Sequence, residues 1–176
     1  LAFFKKMVYF VEKYNTRRIR VNYAIQTNGY CIDREWATFF RDYHFLVGLS
    51  LDGTKEVHDA LRSDWQGKGT FSKVIHAAQL FDAYQVSYNI LTVVTAPLVK
   101  HINRVYQFYL KNHFVYQQYI PCLDPIGEER GRYDFSLTPE LYGKFLCTLF
   151  DLWYLDIRRG RPVSIRYFDN LIMILR

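Results

Sequence analysis

Phe45-Leu46-Val47-Gly48-Leu49-Ser50-Leu51-Asp52-Gly53 is an apolar run that stops in polar residues, with His58-Asp59 and Arg62 close behind it. A strand buried on both faces reads as a continuous apolar stretch, with polar groups only where it meets the next loop. Gly53 permits a turn that a Cβ would resist. Arg62 can bring a fixed positive charge back over the end of the strand. The same letters are equally compatible with a plain Asp-Gly turn, Ser50 serving as a cap and Arg62 pairing on the surface with Asp59 or Asp64. The neighbouring segments decide between these.

Upstream, residues 3–14 place Phe3, Phe4, Met7, Val8, Phe10 and Val11 at helical spacing. Val21-Asn22-Tyr23-Ala24-Ile25 predicts a strand with Gln26-Thr27-Asn28-Gly29 as its polar tip, and Asp33 predicts the cap of a short helix through Trp36 and Phe39-Phe40. Downstream, residues 55–61 predict a short helix and residues 65–69 a loop. Thr70 is the expected cap of a helix carrying Phe71, Val74, Ile75, Ala78 and Phe81. Residues 86–94 read as a β-branched strand ending at Thr95-Ala96-Pro97. Ile102, Val105, Tyr106 and Tyr109 mark another helix; a strand over 115–120 then ends in Pro121-Cys122-Leu123-Asp124-Pro125. After a polar loop at 126–135, Thr138-Pro139-Glu140 starts a helix with proline in its first turn. A short strand at 163–165 and a helix from Phe168 complete the pattern.

Strand and helix in alternation imply parallel strands joined by right-handed crossovers. No GxGxxG or GxxxxGK(S/T) follows any strand, so the nucleotide-binding sheets lack their phosphate loops. Five predicted strands fall short of a closed barrel, which takes about 250 residues. The expected fold is α/β: a partial (β/α) barrel, parallel strands with helices outside, open on one side. Ligands bind such folds at the C-terminal ends of the strands. Gln26, Asn28, Ser50, Asp52, Thr95 and Asp124 are the polar residues expected there. Asn89 shares the interior face of its strand with Ser87 and Leu91. Each has an ordinary alternative: Asn-Gly and Asp-Pro are turn pairs, and His58 is expected on a helix surface.

Composition narrows the classes. At 176 residues and 50% hydrophobic, the chain is one globular domain. Its 15 Tyr, 14 Phe and 3 Trp exceed what a surface carries, so most are core or groove lining; a non-catalytic, peptide-binding reading would use exposed groove aromatics such as Tyr119 or Tyr133. The net charge of +6 is spread along the chain and forms no dense basic face, which argues against nucleic acid as a partner. Cys31, Cys122 and Cys147 are odd in number and far apart, which argues against a disulfide framework or a zinc site. They are expected as small buried hydrophobes in a reduced, cytoplasmic setting. No run reaches the roughly 20 apolar residues of a membrane span. Both ends fall inside helical or apolar patterns, so a piece of a longer protein is expected.

The strings Ile25-Gln26-Thr27-Asn28-Gly29 and Val47-Gly48-Leu49-Ser50-Leu51-Asp52-Gly53, with His58 and Arg62, resemble the radical S-adenosylmethionine (SAM) enzymes. Asn89-Ile90-Leu91, Val93-Val94-Thr95, Pro121-Cys122-Leu123-Asp124-Pro125, Tyr133 with Ser136-Leu137, Leu149-Phe150-Asp151-Leu152-Trp153-Tyr154 and Ser164-Ile165-Arg166-Tyr167-Phe168-Asp169 resemble, more specifically, the anaerobic sulfatase-maturating enzymes. The resemblance covers nearly the whole chain. It implies oxidation of a Cys or Ser of a target sulfatase to Cα-formylglycine by a 5′-deoxyadenosyl radical, made when an iron–sulfur cluster reduces and cleaves SAM. It also implies an external electron donor such as flavodoxin or ferredoxin.

Three positions match the family's SAM contacts: Ser50 at a strand tip, Arg62 on the carboxylate, and Leu123 on the adenosine. Gln26, Asn28, Asp52 and Asn89 are expected at the substrate end. The resemblance makes residues 1–176 the central portion of the barrel, with 163–176 starting the connection to a C-terminal domain. CxxxCxxC is absent from the 176 residues, as are the glycine-rich segment that holds the SAM amino group and the Cys-rich domain with auxiliary clusters and a proton-accepting Asp. No residue here is therefore assigned to catalysis or to a 4Fe-4S cluster. Competing expectations are another radical SAM peptide-modifying enzyme, a non-catalytic peptide-binding barrel remnant, and a β/α-barrel lyase for a phosphorylated metabolite.

Overall fold

The computed structural model describes residues 1–175. Helix α1 (Ala2–Tyr14) precedes five strands, β1 (Ala24–Thr27), β2 (Leu46–Ser50), β3 (Ser87–Val94), β4 (Tyr116–Pro121) and β5 (Ser164–Ile165). Between them lie α2 (Arg34–Asp42), α3 (Lys55–Leu61), α4 (Phe71–Tyr84), α5 (Ala96–Lys100), α6 (Ile102–Lys111) and α7 (Pro139–Arg158), and α8 (Arg166–Ile174) follows β5. The strands pair in sequence order, β1-β2-β3-β4-β5, and every pair is parallel. Each neighbour is thus reached by a helical crossover. This is the partial (β/α) barrel that the alternation implies, an open sheet among the described residues.

The pleat sorts the side chains. Val47, Leu49, Ile90, Thr92, Val94, Gln117, Tyr119 and Ile165 point outward and are buried under the helices. Helix residues Phe39, Phe40, Phe81, Tyr106, Tyr109, Phe145 and Trp153 complete that core. The alternate residues, Gln26, Gly48, Ser50, Asn89, Leu91 and Gln118, face the concave side. Burying a Leu or Phe contributes about 1.5–3 kcal/mol, so the outer face supplies the stability and leaves the inner face free to be polar.

Several expectations change. The first strand runs over 24–27, not 21–25: β2 begins at Leu46, whose N–H donates to Tyr23 O at 2.9 Å, so Val21 and Asn22 have no β2 residue opposite them, and Val21 is exposed. Gln26 and Thr27 therefore lie within the strand and not at its tip. Thr95 caps an additional helix, α5, accepting from the Leu98 N–H at 3.4 Å, with Pro97 in the first turn. Thr70 precedes α4 but makes no capping bond; Asp59 Oδ1 accepts from the Phe71 N–H at 2.9 Å instead. Asp33 does cap α2, accepting from the Trp36 N–H at 2.9 Å. Cys31 and Cys147 are exposed and Cys122 half-buried, so they are not the buried hydrophobes expected. Tyr119 faces outward, packs on Phe145 and donates to Gln117 Oε1 at 2.8 Å; it lines no groove.

Candidate functional site

The rim at the C-terminal ends of β2, β3 and β4 is built around the loop 51–54. Leu51 continues the pairing by donating its N–H to Leu91 O at 3.0 Å. The chain then turns at Gly53, whose φ is +86°. A Cβ there would lie 2.6 Å from Val105 Cγ2 of α6, so the turn needs glycine on both counts. The Gly53 N–H donates to the Tyr109 hydroxyl at 2.8 Å, and that hydroxyl lies 2.6 Å from Leu51 O and 2.7 Å from Thr92 Oγ1. Complete burial pushes the Tyr109 pKa up, so it is a neutral hydrogen-bond partner.

Asp52 is buried, and both of its carboxylate oxygens are engaged. Oδ1 accepts from the Val93 N–H of β3 at 2.8 Å, and Oδ2 accepts from Arg62 Nε. Arg62 follows α3 directly and is partly exposed. Its partner is neither Asp59 nor Asp64: Asp59 takes Lys55 and the Phe71 N–H, and Asp64 takes the Gln66 and Lys68 N–H groups. His58 lies fully buried beneath the loop, not on a helix surface. Its Nδ1 accepts from the Asp52 N–H at 3.1 Å, which leaves the proton on Nε2, 3.1 Å from Thr70 Oγ1. Thr70 Oγ1 donates in turn to Arg62 O at 3.3 Å. Desolvation lowers the His58 pKa, in keeping with a neutral ring.

Cys122 extends the pairing of β4 by donating its N–H to Val94 O at 3.0 Å, and Leu123 beyond it is 82% exposed. Asp124 folds the following loop: Oδ1 accepts from the Ser136 hydroxyl at 2.5 Å and Oδ2 from the Gly131 N–H at 2.8 Å. Those bonds, Ser136 first, lower its pKa. Ser50 thus ends β2 and Leu123 lies beyond the end of β4, the two strands that flank β3, and Arg62 is tied to the same end of the sheet through Asp52. Gln26 and Asn89 do not share that rim. They line a cavity of about 260 Å³ on the concave face, with Gly48, Leu91, Gln118 and Arg166. Asn28 is exposed just after β1, its Oδ1 accepting from the Tyr30 N–H at 3.1 Å as in an Asx turn.

Sequence reasoning missed Gln118, Arg166 and Tyr109. Gln118 was legible from strand alternation once its neighbour Gln117 is placed outward. Arg166 and Tyr109 depend on tertiary packing. Among the described residues no group of three or more His, Cys, Asp or Glu is placed to hold a metal ion.

Consecutive parallel strands, helices on the outer face and polar groups at the C-terminal rim define the class: a partial barrel of the radical SAM type. No family model matches the chain. The cysteine-type anaerobic sulfatase-maturating enzyme of Clostridium novyi is 51% identical over 175 residues, which are 99% of this chain and 47% of that protein. The serine-type enzyme of Bacteroides thetaiotaomicron is 35% identical over 87% of this chain and 40% of its own length. A solved structure described as native anSMEcpe with bound AdoMet and Kp18Cys peptide superposes with a TM-score of 0.97 at 47% identity, covering 99% of this chain and 48% of that one. By sequence and by fold the chain is a relative of the anaerobic sulfatase-maturating enzymes. It spans about half the length of the curated relatives it matches.

Proposed function

We propose that the protein to which this chain belongs is a radical SAM oxidoreductase that converts a residue of a target sulfatase to Cα-formylglycine. The observation that carries this is the 51% identity to a cysteine-type maturase over 99% of the chain. The lower identity, 35%, to a serine-type enzyme favours cysteine as the target residue. The rim fits SAM. Arg62 offers a held guanidinium for its carboxylate, Ser50 a half-exposed hydroxyl, and Leu123 an exposed aliphatic and main-chain surface for the adenosine. Gln26 and Asn89 carry amides suited to a peptide main chain approaching from the concave side; Asn28, outside that cavity, keeps only its amide nitrogen for such a contact, and Asp52 has its carboxylate turned inward.

The three dispersed cysteines do not fit a 4Fe-4S cluster, whose ligands we assign outside these 176 residues. SAM held by these residues would supply, on receiving an electron from a cluster outside them, the radical that takes a hydrogen from the target Cβ. This chain's part is to bind it, orient it and shield it. An external electron donor and a cytoplasmic setting belong to the same proposal; no helix among the described residues is long and apolar enough to cross a membrane.

The test is reconstitution of the full-length gene product with iron and sulfide, followed by mass spectrometry of a sulfatase peptide incubated with SAM and reductant. Loss of mass at the cysteine, in step with 5′-deoxyadenosine release, is expected. An unmodified peptide with SAM still cleaved points to another target. Arg62→Ala should weaken SAM binding more than Lys100→Ala, and equal affinities would remove Arg62 from the site.

A further inference from the structure

We propose that Asp52 is the positioning residue for Arg62, and that the pair forms a carboxylate-reading device at the rim. Among the described residues Asp52 is the only side-chain partner of Arg62, and it takes Nε. A guanidinium is planar and carries its donors in a fixed fork. Fixing Nε therefore fixes the plane and direction of Nη1 and Nη2, and these two nitrogens are left for a ligand. Two donors in one plane match the two oxygens of a carboxylate.

The anchor is itself immobile. Asp52 Oδ1 is tied to the Val93 N–H of β3, and its main-chain N–H to His58 Nδ1 of α3. A ring with a lone pair on Nδ1 is neutral, so it adds no charge beside the pair. The arrangement sets a negative, a positive and a negative group in line when a ligand carboxylate binds. The Asp52 charge therefore weakens the bare Coulombic pull on an anion, and what it contributes is direction. This suits a zwitterionic ligand, which brings its own cation, better than a simple anion.

The inference deepens the assignment of Arg62 to the SAM carboxylate and rests on it. Its test compares two ligands on the full-length, cluster-reconstituted protein: SAM, and 5′-methylthioadenosine, which keeps the adenosine and thioether but has no carboxylate. Asp52→Asn retains an acceptor for the Val93 N–H but removes the charge that holds Nε. It should weaken SAM about tenfold, the scale of one charge-assisted hydrogen bond, and leave 5′-methylthioadenosine within about twofold. Unchanged or tighter SAM binding overturns the proposal, as does an equal loss for both ligands, which would mean a general collapse of the rim.

Arg62→Ala separates the layers. If it discriminates between the ligands and Asp52→Asn does not, positioning fails while the assignment of Arg62 stands. If Arg62→Ala affects both ligands alike, that assignment fails first. The double variant should bind SAM no worse than Arg62→Ala, because the two losses are one loss; additive losses overturn the proposal. Should Asp52→Asn not fold, Arg62→Lys carries the test. An ammonium gripped by Asp52 has no second arm, so SAM binding should drop about tenfold, and full affinity overturns the proposal.

Discussion

Tyr109→Phe isolates the contribution of one hydroxyl to the rim. The Tyr109 oxygen accepts from the Gly53 N–H at 2.8 Å and lies within hydrogen-bond reach of Leu51 O and Thr92 Oγ1. Two hydroxyl protons, those of Tyr109 and Thr92, serve the contacts among these three oxygens. When the Tyr109 hydroxyl goes, Leu51 O keeps the Thr92 hydroxyl at 2.9 Å, so it stays satisfied. The Gly53 N–H has no such reserve. Gly53 is buried, and its amide loses its acceptor outright. The phenyl ring itself still packs on Phe108 and Phe114, with centroids 5.9 and 6.0 Å away.

The cost is therefore that of one orphaned buried donor, about 1–3 kcal/mol, concentrated at one amide. Hydrogen exchange resolved to single amides on the full-length protein reads it directly. Gly53 should exchange roughly 5- to 150-fold faster in Tyr109→Phe, the conversion of that cost into an opening equilibrium. The Asp52 amide, held by His58, and the Leu51 amide, held by Leu91 O, should change far less. Unchanged protection at Gly53, or uniform loss across all three amides, would refute the assignment of this hydroxyl as the loop's acceptor.

Gly48→Ala adds a Cβ on the concave face, 2.6 Å from Leu91 Cδ1 and 3.3 Å from Gln26 Cγ. It should destabilise the protein by about 1–3 kcal/mol through overpacking, and adding Leu91→Ala should recover part of that; strictly additive losses in urea midpoints would contradict the contact. His58 titrates below its ordinary value of 6.5, chiefly through desolvation, with Asp52 and Asp59 pulling its pKa up and Arg62 and Lys55 pulling it down. The unfolded state thus binds a proton first as pH falls below about 6.5, and stability drops from there down to the lower folded pKa, while above it His58 contributes no slope. Denaturation midpoints from pH 8 to 5 should fall less steeply for His58→Gln than for the parent, and parallel slopes would exclude His58 as the source.

The sheet was legible because its outer face needs unbroken apolar residues and its crossovers need helical periodicity. Val47, Leu49, Ile90 and Val94 carry the first signal, and Val74, Phe81, Val105 and Tyr109 the second. The position of β1 was not legible. Its register depends on where β2 begins, and nothing in Val21-Asn22-Tyr23 reports that Leu46 is the partner's first residue. The burial of His58 was hidden for a related reason. On a seven-residue helix any face can be inward, and which one is buried depends on α4 and on the loop it supports. At the site, residue type and spacing could mark Ser50, Asp52 and Arg62 as polar groups after a strand end, while Leu123 was marked only by the family resemblance. Neither could say that Asp52 points inward while Arg62 remains partly exposed, because that choice is made by an amide on β3 forty-one residues away.

That distant amide also explains why the rim can be polar without being loose. A loop that leaves a parallel strand has main-chain groups with no ladder to join, and each one buried unpaired costs about as much as a lost hydrogen bond. Here the main-chain groups of 51–53 are answered from three separate elements, Leu91 and Thr92 on β3, His58 on α3 and Tyr109 on α6, while the Val93 N–H of β3 holds the Asp52 carboxylate. The partners come from one strand and from helices of two different crossovers, so the loop is ordered only when the strands and helices around it are. Arg62, anchored on Asp52, inherits that order. The guanidinium can then be aimed at a ligand without the side-chain entropy that a free arginine would lose, about 2 kcal/mol. Its aim is set when the barrel folds, before any ligand arrives.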